Sequence, residues 1–513
     1  MLKLNFSMIK FVNIVLWLLG SVLIIFTFIL IGQSLNWPLV WDAPGYHYIA
    51  WMMSKGAVPY KDIFDQQFPG TYLVHLFVIK FLGTGSIAWR FTDLFCLALI
   101  DITIVAYMKK YGALSAIFAA CLFSIFHLLN GAFHAGQRDY FTVLSSMAGV
   151  YFFASALEHN NSPYRLLLAG FAVGAGIMIK PQVGVLLFLL AIAVAASAYR
   201  LGRSWLPPML VFLASGFVVP AAILIWLAAI GGLVPFFDIV YNYLAKVYLQ
   251  IGNMPLIEVL LATQCGTPLV VDAFVAGAIS LVYCSIQKHI DIRRGLLVLG
   301  LAYGLYHHLG QRADFLYHTY PLALFIFLLT ASWIRLLQNM KRGKLYFLML
   351  GFLLYLSIGF AVTSIQRYRT PLTGYYGLPL NVVFKLVNDL KDRLAPGDKI
   401  QTFFYGCEAT HALFLLQRPQ ATRFVFTFHL FYLNDNPYIK KIRAEFLNAL
   451  KKEVPKILVF SHVTADGEQK NYDYIRQFPA LYAWINENYR LAFEDYDYRI
   501  YELNRERPIS SSQ

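Results

Sequence analysis

The residues of this sequence that could do chemistry are acids and cations beside long apolar segments. Between Trp41 and Gly70 the chain carries three aspartates, Asp42, Asp62 and Asp65, and Asp42 directly follows the first apolar segment. A carboxylate at the end of a membrane-spanning segment costs free energy unless it has a partner or a task. Asp42 is therefore a candidate functional residue, and an ordinary solvated loop is the alternative interpretation of the stretch.

Further candidates lie in other polar segments between apolar runs. They are Arg138, Asp139, Lys180, Arg312, Asp314 and His318. Arginine offers a forked set of donors to phosphate oxygens and lysine a point charge. A nearby carboxylate can take the proton of a hydroxyl group. Together these residue types predict a site for an anionic lipid phosphate and a hydroxyl acceptor.

Each of these candidates also has a purely structural interpretation. The two Arg–Asp pairs could be self-neutralising at helix ends. Lys180 could extend its ammonium group to the membrane interface, and His318 could be an interfacial histidine with its hydrogen bonds satisfied. The collection of several cations and acids near one membrane face favours the functional interpretation.

The elements that must position these residues are membrane-spanning helices. The 513 residues are 58% hydrophobic and 14% charged, with a mean hydropathy of +0.57. Repeated apolar runs of about 20 residues are typical of polytopic membrane proteins. The net charge of +14 lies in short segments between these runs, which fits cytoplasmic loops and excludes a nucleic-acid partner. The five cysteines show no metal-ligand spacing, and for Cys265 and Cys407 a free pair is favoured over a disulfide.

The alternation of apolar and basic segments predicts an α-helical polytopic membrane protein with about eleven spans and the N-terminus inside. Residues 69–82 are too short to span and include His75 and Lys80, so they predict an interfacial helix that does not cross. Every later basic cluster then lies on one side. The predicted spans are 11–32, 87–108, 113–130, 140–157, 165–179, 182–199, 206–230, 268–286, 295–309, 320–337 and 345–364.

The sequence after residue 365 has the composition of a soluble domain. Asn381–Leu394 has the apolar periodicity of an amphipathic helix, and it ends at a Pro-Gly-Asp turn signal. The segments KIQTFFY, PKILVF and YRIYEL predict strands, and two further helices lie between them. This alternation predicts an extracytoplasmic α/β domain over 366–513, after a transmembrane catalytic domain over 1–365 whose outer catalytic loop is 33–86.

These motifs resemble those of GT-C glycosyltransferases of the protein O-mannosyltransferase and lipid A aminoarabinose-transferase type. The similar features are Asp42, Tyr46 and Pro69-Gly-Thr-Tyr-Leu, then Asp139 in GQRDYF, Lys180 in AGFAVGAGIMIKP, and the C-terminal segments PGDKI, LLQRPQATRF, PKILVF, NYRL and DYRIYEL. Many relatives carry Asp-Glu at the first site. Here Asp42 is followed by Ala43-Pro44, which disfavours a metal site built on paired carboxylates.

The resemblance implies sugar transfer from a polyprenyl-phosphate donor, with inversion, to a hydroxyl group of a glycan, lipid or protein. Asp42 would be the general base and Asp139 a second catalytic acid. The substrate-binding residues implied are Tyr46, Asp62, Asp65, Arg138, Lys180, Arg312 and His318. No cofactor is expected, and a divalent metal ion is an open but disfavoured alternative, because cations can neutralise the leaving phosphate. The implied location is the bacterial inner (plasma) membrane, with the active site facing the periplasm or cell exterior.

Two alternatives remain open at this stage. A ligase or polymerase of lipid-linked oligosaccharides would share the donor chemistry and differ only in the acceptor. A transporter would also be polytopic, but transporters usually place polar residues near the bilayer midplane on broken helices, often with internal symmetry. Neither feature is visible here. The sequence leaves the identity of the sugar and of the acceptor open.

Overall fold

The computed structural model describes residues 2–251, 253–266, 268–286, 291–313, 315–339, 344–369, 373–403, 407–461 and 472–504. Asp314 and the side chains of Cys265 and Cys407 lie outside these residues. The described chain is mostly helical. In chain order its α-helices are α1 Leu2–Ser34, α2 Asp42–Ser54, α3 Pro69–Phe81, α4 Ser86–Met108, α5 Ala113–Leu129, α6 Arg138–Glu158, α7 Pro163–Ile177, α8 Val183–Arg200, α9 Leu206–Ala229, α10 Leu233–Asp238, α11 Leu256–Gly266, α12 Pro268–Ile286, α13 Ile292–Leu309, α14 Tyr320–Ala331, α15 Trp333–Asn339, α16 Lys344–Arg369, α17 Thr373–Lys391, α18 Cys407–Leu416, α19 Pro437–Glu453 and α20 Pro479–Asn488.

A helix lies at each of the eleven predicted span positions. Seven helical stretches of the described residues are long and apolar enough to cross a membrane: Val12–Ser34, Ser86–Tyr111, Arg138–Glu158, Val183–Arg200, Leu206–Ala229, Leu316–Leu337 and Tyr346–Gln366. Shorter apolar helices occupy three other predicted positions, and α13 occupies the last. The tenth position is divided between α14 and α15. The prediction of a polytopic helical membrane protein is confirmed.

The stretch after the first span contains a helix that the sequence analysis did not predict. This helix, α2, begins at Asp42, whose charge is favourable in the first turn, where proline is also tolerated at Pro44. It ends just before Gly56, which has a φ of +101°. The next helix, α3, begins with Pro69 at its first position and has 13 residues, as predicted for the short segment over 69–82.

The chain forms two compact units, each made of separate segments. The first unit comprises Met1–Pro38, Gly85–Ile223 and Gly252–Leu372, and the second comprises Leu39–Thr84, Leu224–Ile251 and Thr373–Gln513. The first contains most of the spanning helices. The second contains the C-terminal residues together with α2, α3 and α10. Most of the predicted outer loop 33–86 therefore groups with the C-terminal part of the chain.

The first unit has a continuous apolar core. Its most enclosed element is the stretch Leu316–Leu337, 94% of which is buried, as expected for a helix that is hydrophobic all round. At one end of the helices, Glu158 accepts hydrogen bonds from Lys110 at 2.8 Å and from Arg293 at 2.8 and 2.9 Å. The basic segment that follows α4 and the first turn of α13 thus meet at Glu158.

The second unit contains a four-stranded sheet. Its strands are β1 Ile400–Phe403, β2 Ile457–Ser461, β3 Tyr489–Glu494 and β4 Tyr498–Leu503, in the order β1-β2-β4-β3. The first two strands are parallel and the other pairs are antiparallel. Strands β1, β2 and β4 match the predicted strands, and β3 is additional. The predicted amphipathic helix Asn381–Leu394 overlaps α17, which ends three residues earlier at Lys391 and buries Val383, Leu386 and Leu390. A small α/β fold at the C-terminal end is confirmed.

The C-terminal residues of the second unit hold the stretch around α2 by polar contacts. Tyr48 on α2 donates to the Arg418 carbonyl oxygen at 3.1 Å and accepts from the Gln420 backbone N–H at 2.8 Å. Arg423 donates to the Tyr60 carbonyl oxygen at 2.9 Å, and its own carbonyl oxygen accepts from the Phe64 N–H at 2.7 Å. These four contacts fix α2 and the segment after it on one backbone segment.

Candidate active site

A buried cluster of polar side chains lies in the first unit around Asp139. The Asp139 Oδ1 atom accepts hydrogen bonds from Lys180 Nζ at 2.6 Å and from His307 Nε2 at 2.7 Å. Lys180 Nζ also donates to Gln311 Oε1 at 2.5 Å. Because His307 Nε2 donates to the carboxylate, its Nδ1 is the acceptor for the Tyr303 hydroxyl at 3.3 Å. The cluster is an oriented carboxylate–ammonium–imidazole arrangement.

Three helix ends bring these groups together. Asp139 is in the first turn of α6, where the backbone N–H groups favour a negative charge. Lys180 follows α7, whose end approaches α6 so closely that a Cβ on Gly176 would lie 2.1 Å from Ser145 Oγ. His307 is in the last turn of α13. Close helix packing at a small residue thus sets the Lys180–Asp139 distance.

Several buried polar atoms of this region make no hydrogen bond to any of the described residues, and two of them lie on side chains of the candidate site. These two are Asp139 Oδ2 and His318 Nδ1. The His318 ring is 5% exposed and lies close enough to Asp139 and Lys180 for their charges to act on it. Unsatisfied buried polar atoms are rare in proteins. An acceptor oxygen and an imidazole nitrogen at one place indicate a ligand that supplies hydrogen-bonding groups of its own.

The charge of Lys180 is set by opposing effects. Burial lowers the pKa of Lys180 to about 8, the Asp139 carboxylate raises it, and the nearby Arg138 guanidinium lowers it. Lys180 is therefore mostly an ammonium group at neutral pH. Arg138 is half-buried at the start of α6. Two cations beside one carboxylate leave a net positive charge, which suits an anion such as a phosphate.

Arg312 has a different environment from the other predicted cations. It is exposed, its guanidinium donates to Asn253 Oδ1 at 3.3 Å, and its φ is +48°. A non-glycine residue in this left-handed region is uncommon. The structure therefore gathers Arg138, Asp139, Lys180 and His318 in one region and places Arg312 on the surface beside Asn253.

In the second unit, Asp42 is the first residue of α2 and is half-buried. Tyr46 follows one turn later, is 5% exposed, and packs edge-on against His75 with ring centroids 5.4 Å apart. His75 Nδ1 lies 2.7 Å from His47 Nδ1. Burial lowers the pKa of His47 to about 3 and that of His75 well below its usual value, so both rings are neutral.

Asp65 and Asp62 differ sharply in their surroundings. Asp65 is 2% exposed and accepts hydrogen bonds from the Tyr72 hydroxyl and the Gln66 N–H, at 2.7 and 2.8 Å. Asp62 is exposed, and its Oδ2 accepts from the Val58 N–H at 2.8 Å, which closes a local turn. Asp65 thus belongs to an internal network, while the contacts of Asp62 are those of a loop residue.

His307 is a residue of the cluster that the sequence analysis missed. The available signal was its spacing to Gln311, which directly precedes the candidate Arg312. Residues four apart lie on the same helix face. A second missed group is Arg90, Asp93 and His127, which are buried within the helices of the first unit. Its signal was an arginine and an aspartate three residues apart inside an apolar segment. Among the described residues, no group of three or more His, Cys, Asp or Glu could hold a metal ion.

Comparison with known sequences matches part of the chain to one family. A family model described as dolichyl-phosphate-mannose-protein mannosyltransferase matches residues 67–226. The matched segment includes Asp139 and Lys180 but not Asp42. None of the curated proteins matches this sequence.

Comparison with solved structures covers nearly the whole chain. ArnT from Cupriavidus metallidurans bound to undecaprenyl phosphate has a TM-score of 0.55 at 13% identity, and its apo state 0.56 at 12%. Both alignments cover 94% of this chain and 97% of that chain. The archaeal oligosaccharyltransferase AglB from Archaeoglobus fulgidus, with an inhibitory peptide and a dolichol-phosphate, gives 0.46 at 13% identity, covering 86% and 69%. The ArnT similarity shows the GT-C fold and confirms the resemblance noted from the sequence.

Proposed function

We propose that this chain, which has the fold of the GT-C glycosyltransferases, is itself a membrane glycosyltransferase that takes its sugar from a polyprenyl-phosphate donor. The observation that carries the proposal is the buried Asp139–Lys180 pair with Arg138 beside it. Lys180 has three N–H donors, and its two hydrogen bonds, to Asp139 and Gln311, leave one for a phosphate oxygen. The family match over the same residues supports this assignment.

The cations have a direct role in the proposed chemistry. The bond between the anomeric carbon and the phosphate oxygen breaks, and negative charge grows on the leaving polyprenyl phosphate. Lys180 and Arg138 stabilise this charge, with His318 as a further contact, so the leaving group needs no protonation and no metal ion. Asp139 holds Lys180 in place, and its second oxygen, Oδ2, remains for a hydroxyl group of the sugar.

We assign the role of general base to Asp42. Its carboxylate takes the proton of the acceptor hydroxyl, whose oxygen attacks the anomeric carbon on the face opposite to the phosphate, so that the configuration inverts. The half-buried position of Asp42 at the start of α2 supports the assignment, because it leaves the carboxylate partly exposed to an acceptor hydroxyl. Tyr46 and Asp65, which lie on and after the same helix, are proposed to border the acceptor.

The proposed location is the bacterial inner membrane, with the site on its outer face. Cysteine labelling of intact cells tests this sidedness. A cysteine at Gly85 should react with an impermeant reagent, and one at Lys110, which is 45% exposed, should be protected. The reverse pattern would contradict the proposed orientation.

The function is tested by deleting the gene in the source organism and analysing its envelope glycans by mass spectrometry. Loss of a single sugar, restored by the wild-type chain and not by Lys180→Met, is the expected result. Loss of a whole oligosaccharide would instead favour the ligase alternative. If the glycans are unchanged, and a labelled lipid donor crosses the membrane without losing its sugar, a transporter would be favoured.

A further inference from the structure

Asp93 on α4 is a fully buried carboxylate with three different donors. Its Oδ2 atom accepts from the guanidinium of Arg90 and from His127 Nε2, the latter at 3.0 Å. Its Oδ1 atom accepts from the backbone N–H of Gly136 at 2.8 Å. Asp93 and His127 are 0% exposed and Arg90 is 2% exposed. The Oδ2 atom thus pairs with the charged side chain of Arg90 and with His127, and the Oδ1 atom holds a backbone turn.

The turn that Asp93 holds leads directly into the candidate active site. Gly136 has a φ of +68°, and a Cβ there would lie 2.0 Å from Trp89 Cζ2. The Trp89 Nε1 atom also donates to the Ala135 carbonyl oxygen at 3.3 Å. Trp89 and Asp93 are four residues apart on α4 and so share a face. Residues 135–136 are therefore held by two hydrogen bonds from this face, one with Trp89 and one with Asp93. Gly136 lies three residues before Asp139.

The charged part of the network is firmly anchored. Arg90 also donates to Ser34 Oγ at 2.6 Å and lies over the Trp37 ring at 4.3 Å. The other nitrogen of His127, Nδ1, lies 2.8 Å from the Tyr320 hydroxyl oxygen. A buried ion pair is weak evidence for stability, because desolvation of the charges offsets their attraction. The contact with the turn gives this costly arrangement a use beyond stability.

We propose that Asp93 is a positioning residue for the candidate active site. By holding the Gly136 N–H, it fixes the turn before α6 and therefore the direction in which Asp139 meets Lys180. The inference rests on the proposed function, since it gives Asp93 a part in sugar transfer. Asp93 does not contact the substrate in this proposal.

Two substitutions separate positioning from charge balance. Asp93→Asn keeps an oxygen that can accept from Gly136 N–H but removes the charge beside Arg90. Asp93→Glu keeps the charge but moves the accepting oxygen by one methylene group. The control is Asp101→Asn on the same helix, because Asp101 accepts from Ser124 Oγ at 2.6 Å and does not hold the turn.

The variants are compared in reconstituted vesicles by transfer from a labelled polyprenyl-phosphate sugar and by hydrogen exchange of the amides over 134–140. For Asp93→Glu we expect a kcat lower by about 100-fold, as for a displacement of about 1 Å. Exchange at Gly136 should be faster, with that of α4 and α5 unchanged. Asp93→Asn and Asp101→Asn should remain within about threefold of wild type.

The reverse order, with Asp93→Glu active and Asp93→Asn inactive, would overturn the proposal in favour of charge balance. If neither Asp93 variant folds, Trp89→Phe removes the hydrogen bond to Ala135 and the part of the indole ring that packs on Gly136, and it should lower kcat with the same local change in exchange. Wild-type exchange and kcat in that variant would also overturn it. If the wild-type chain transfers no sugar, the proposed function fails, while the exchange measurements still decide whether Asp93 fixes the turn.

Discussion

Replacing Lys180 by arginine should remove the alkaline limit of the sugar-transfer reaction. In the proposed mechanism only the ammonium form of Lys180 stabilises the leaving phosphate. Burial lowers the pKa of Lys180 to about 8 from the usual 10.5. The groups around Lys180 include Asp139, Gln311 and Arg138. Its charge also acts on His307 and His318. Arginine stays protonated across the accessible pH range.

The size of the effect follows from the fraction of Lys180 that carries a proton. With a pKa of about 8, roughly nine-tenths of Lys180 is charged at pH 7 and about one-tenth at pH 9. The value of kcat/KM in the wild type should therefore fall about tenfold over this range. Lys180→Arg should give a lower rate at pH 7, because the buried site fits a lysine, but a flat profile up to pH 9.

The effect of Lys180 on stability has the opposite dependence on pH. Because the folded state lowers the pKa of Lys180, the unfolded chain binds more protons between about pH 8 and 10.5. The contribution of Lys180 to stability therefore rises with pH in this window while activity falls. Activity is measured with a labelled polyprenyl-phosphate sugar in vesicles, and the melting temperature is measured beside it. The control variant is Lys80→Arg, because Lys80 is exposed, and it should keep the wild-type pH profile. An unchanged alkaline limb in Lys180→Arg would refute the reasoning.

Three further predictions concern Asp42, Arg423 and the packing of α7. Asp42→Asn should lower transfer by about 10²–10⁴-fold, the loss expected for a general base, whereas Asp62→Asn should remain within about twofold; equal losses in the folded variants would contradict the assignment. Arg423→Ala removes two hydrogen bonds to Glu445, at 2.5 and 3.0 Å, and the contact with Tyr60, and should destabilise the second unit by about 2 kcal/mol. Limited proteolysis of residues 55–65 measures this loss of stability. The control variant is Lys440→Ala, which breaks the exposed ion pair with Asp435 and should not change the rate of proteolysis measurably. Gly174→Ala places a Cβ 2.2 Å from the Gly216 carbonyl oxygen and should cost about 1–3 kcal/mol in thermal unfolding, while Gly184→Ala, which meets nothing within 4 Å, should be neutral.

The sequence was informative where a residue type conflicts with its surroundings. Asp139 and Lys180 border apolar segments, and a charge in such a position is visible from composition alone. The eleven helix positions were predicted for the same reason, since about 20 apolar residues in a row have few other uses. Asp139 and Lys180 are also in contact, which the sequence could not specify. Their distance depends on how closely α6 and α7 pack.

The features that were missed depend on contacts between distant residues. The first turns of α2 contain Pro44 and Gly45, which read as loop residues, and a Cβ on Gly45 would lie 2.6 Å from Phe426. Packing against the C-terminal residues selects this helix, and no local pattern shows it. Strand β3 is mostly exposed or half-buried, so its periodicity is weak. His307 was missed because the face of α13 that meets Asp139 is a property of the assembled helices.

The order in which the chain is synthesised has a consequence for the second unit. Tyr60 and its partner Arg423 are separated by 363 residues, and Tyr48 and Gln420 by 372. At ordinary rates of synthesis the earlier residues wait roughly 20–70 s for these partners. During that interval most of the spanning helices are synthesised. Trp51 and Phe64, which are buried in the final structure, are then without the C-terminal residues that pack around them. Completion of the second unit therefore has to wait until every predicted span has been synthesised, and a chain that stops before residue 418 would carry all of these spans and still leave α2 unsupported.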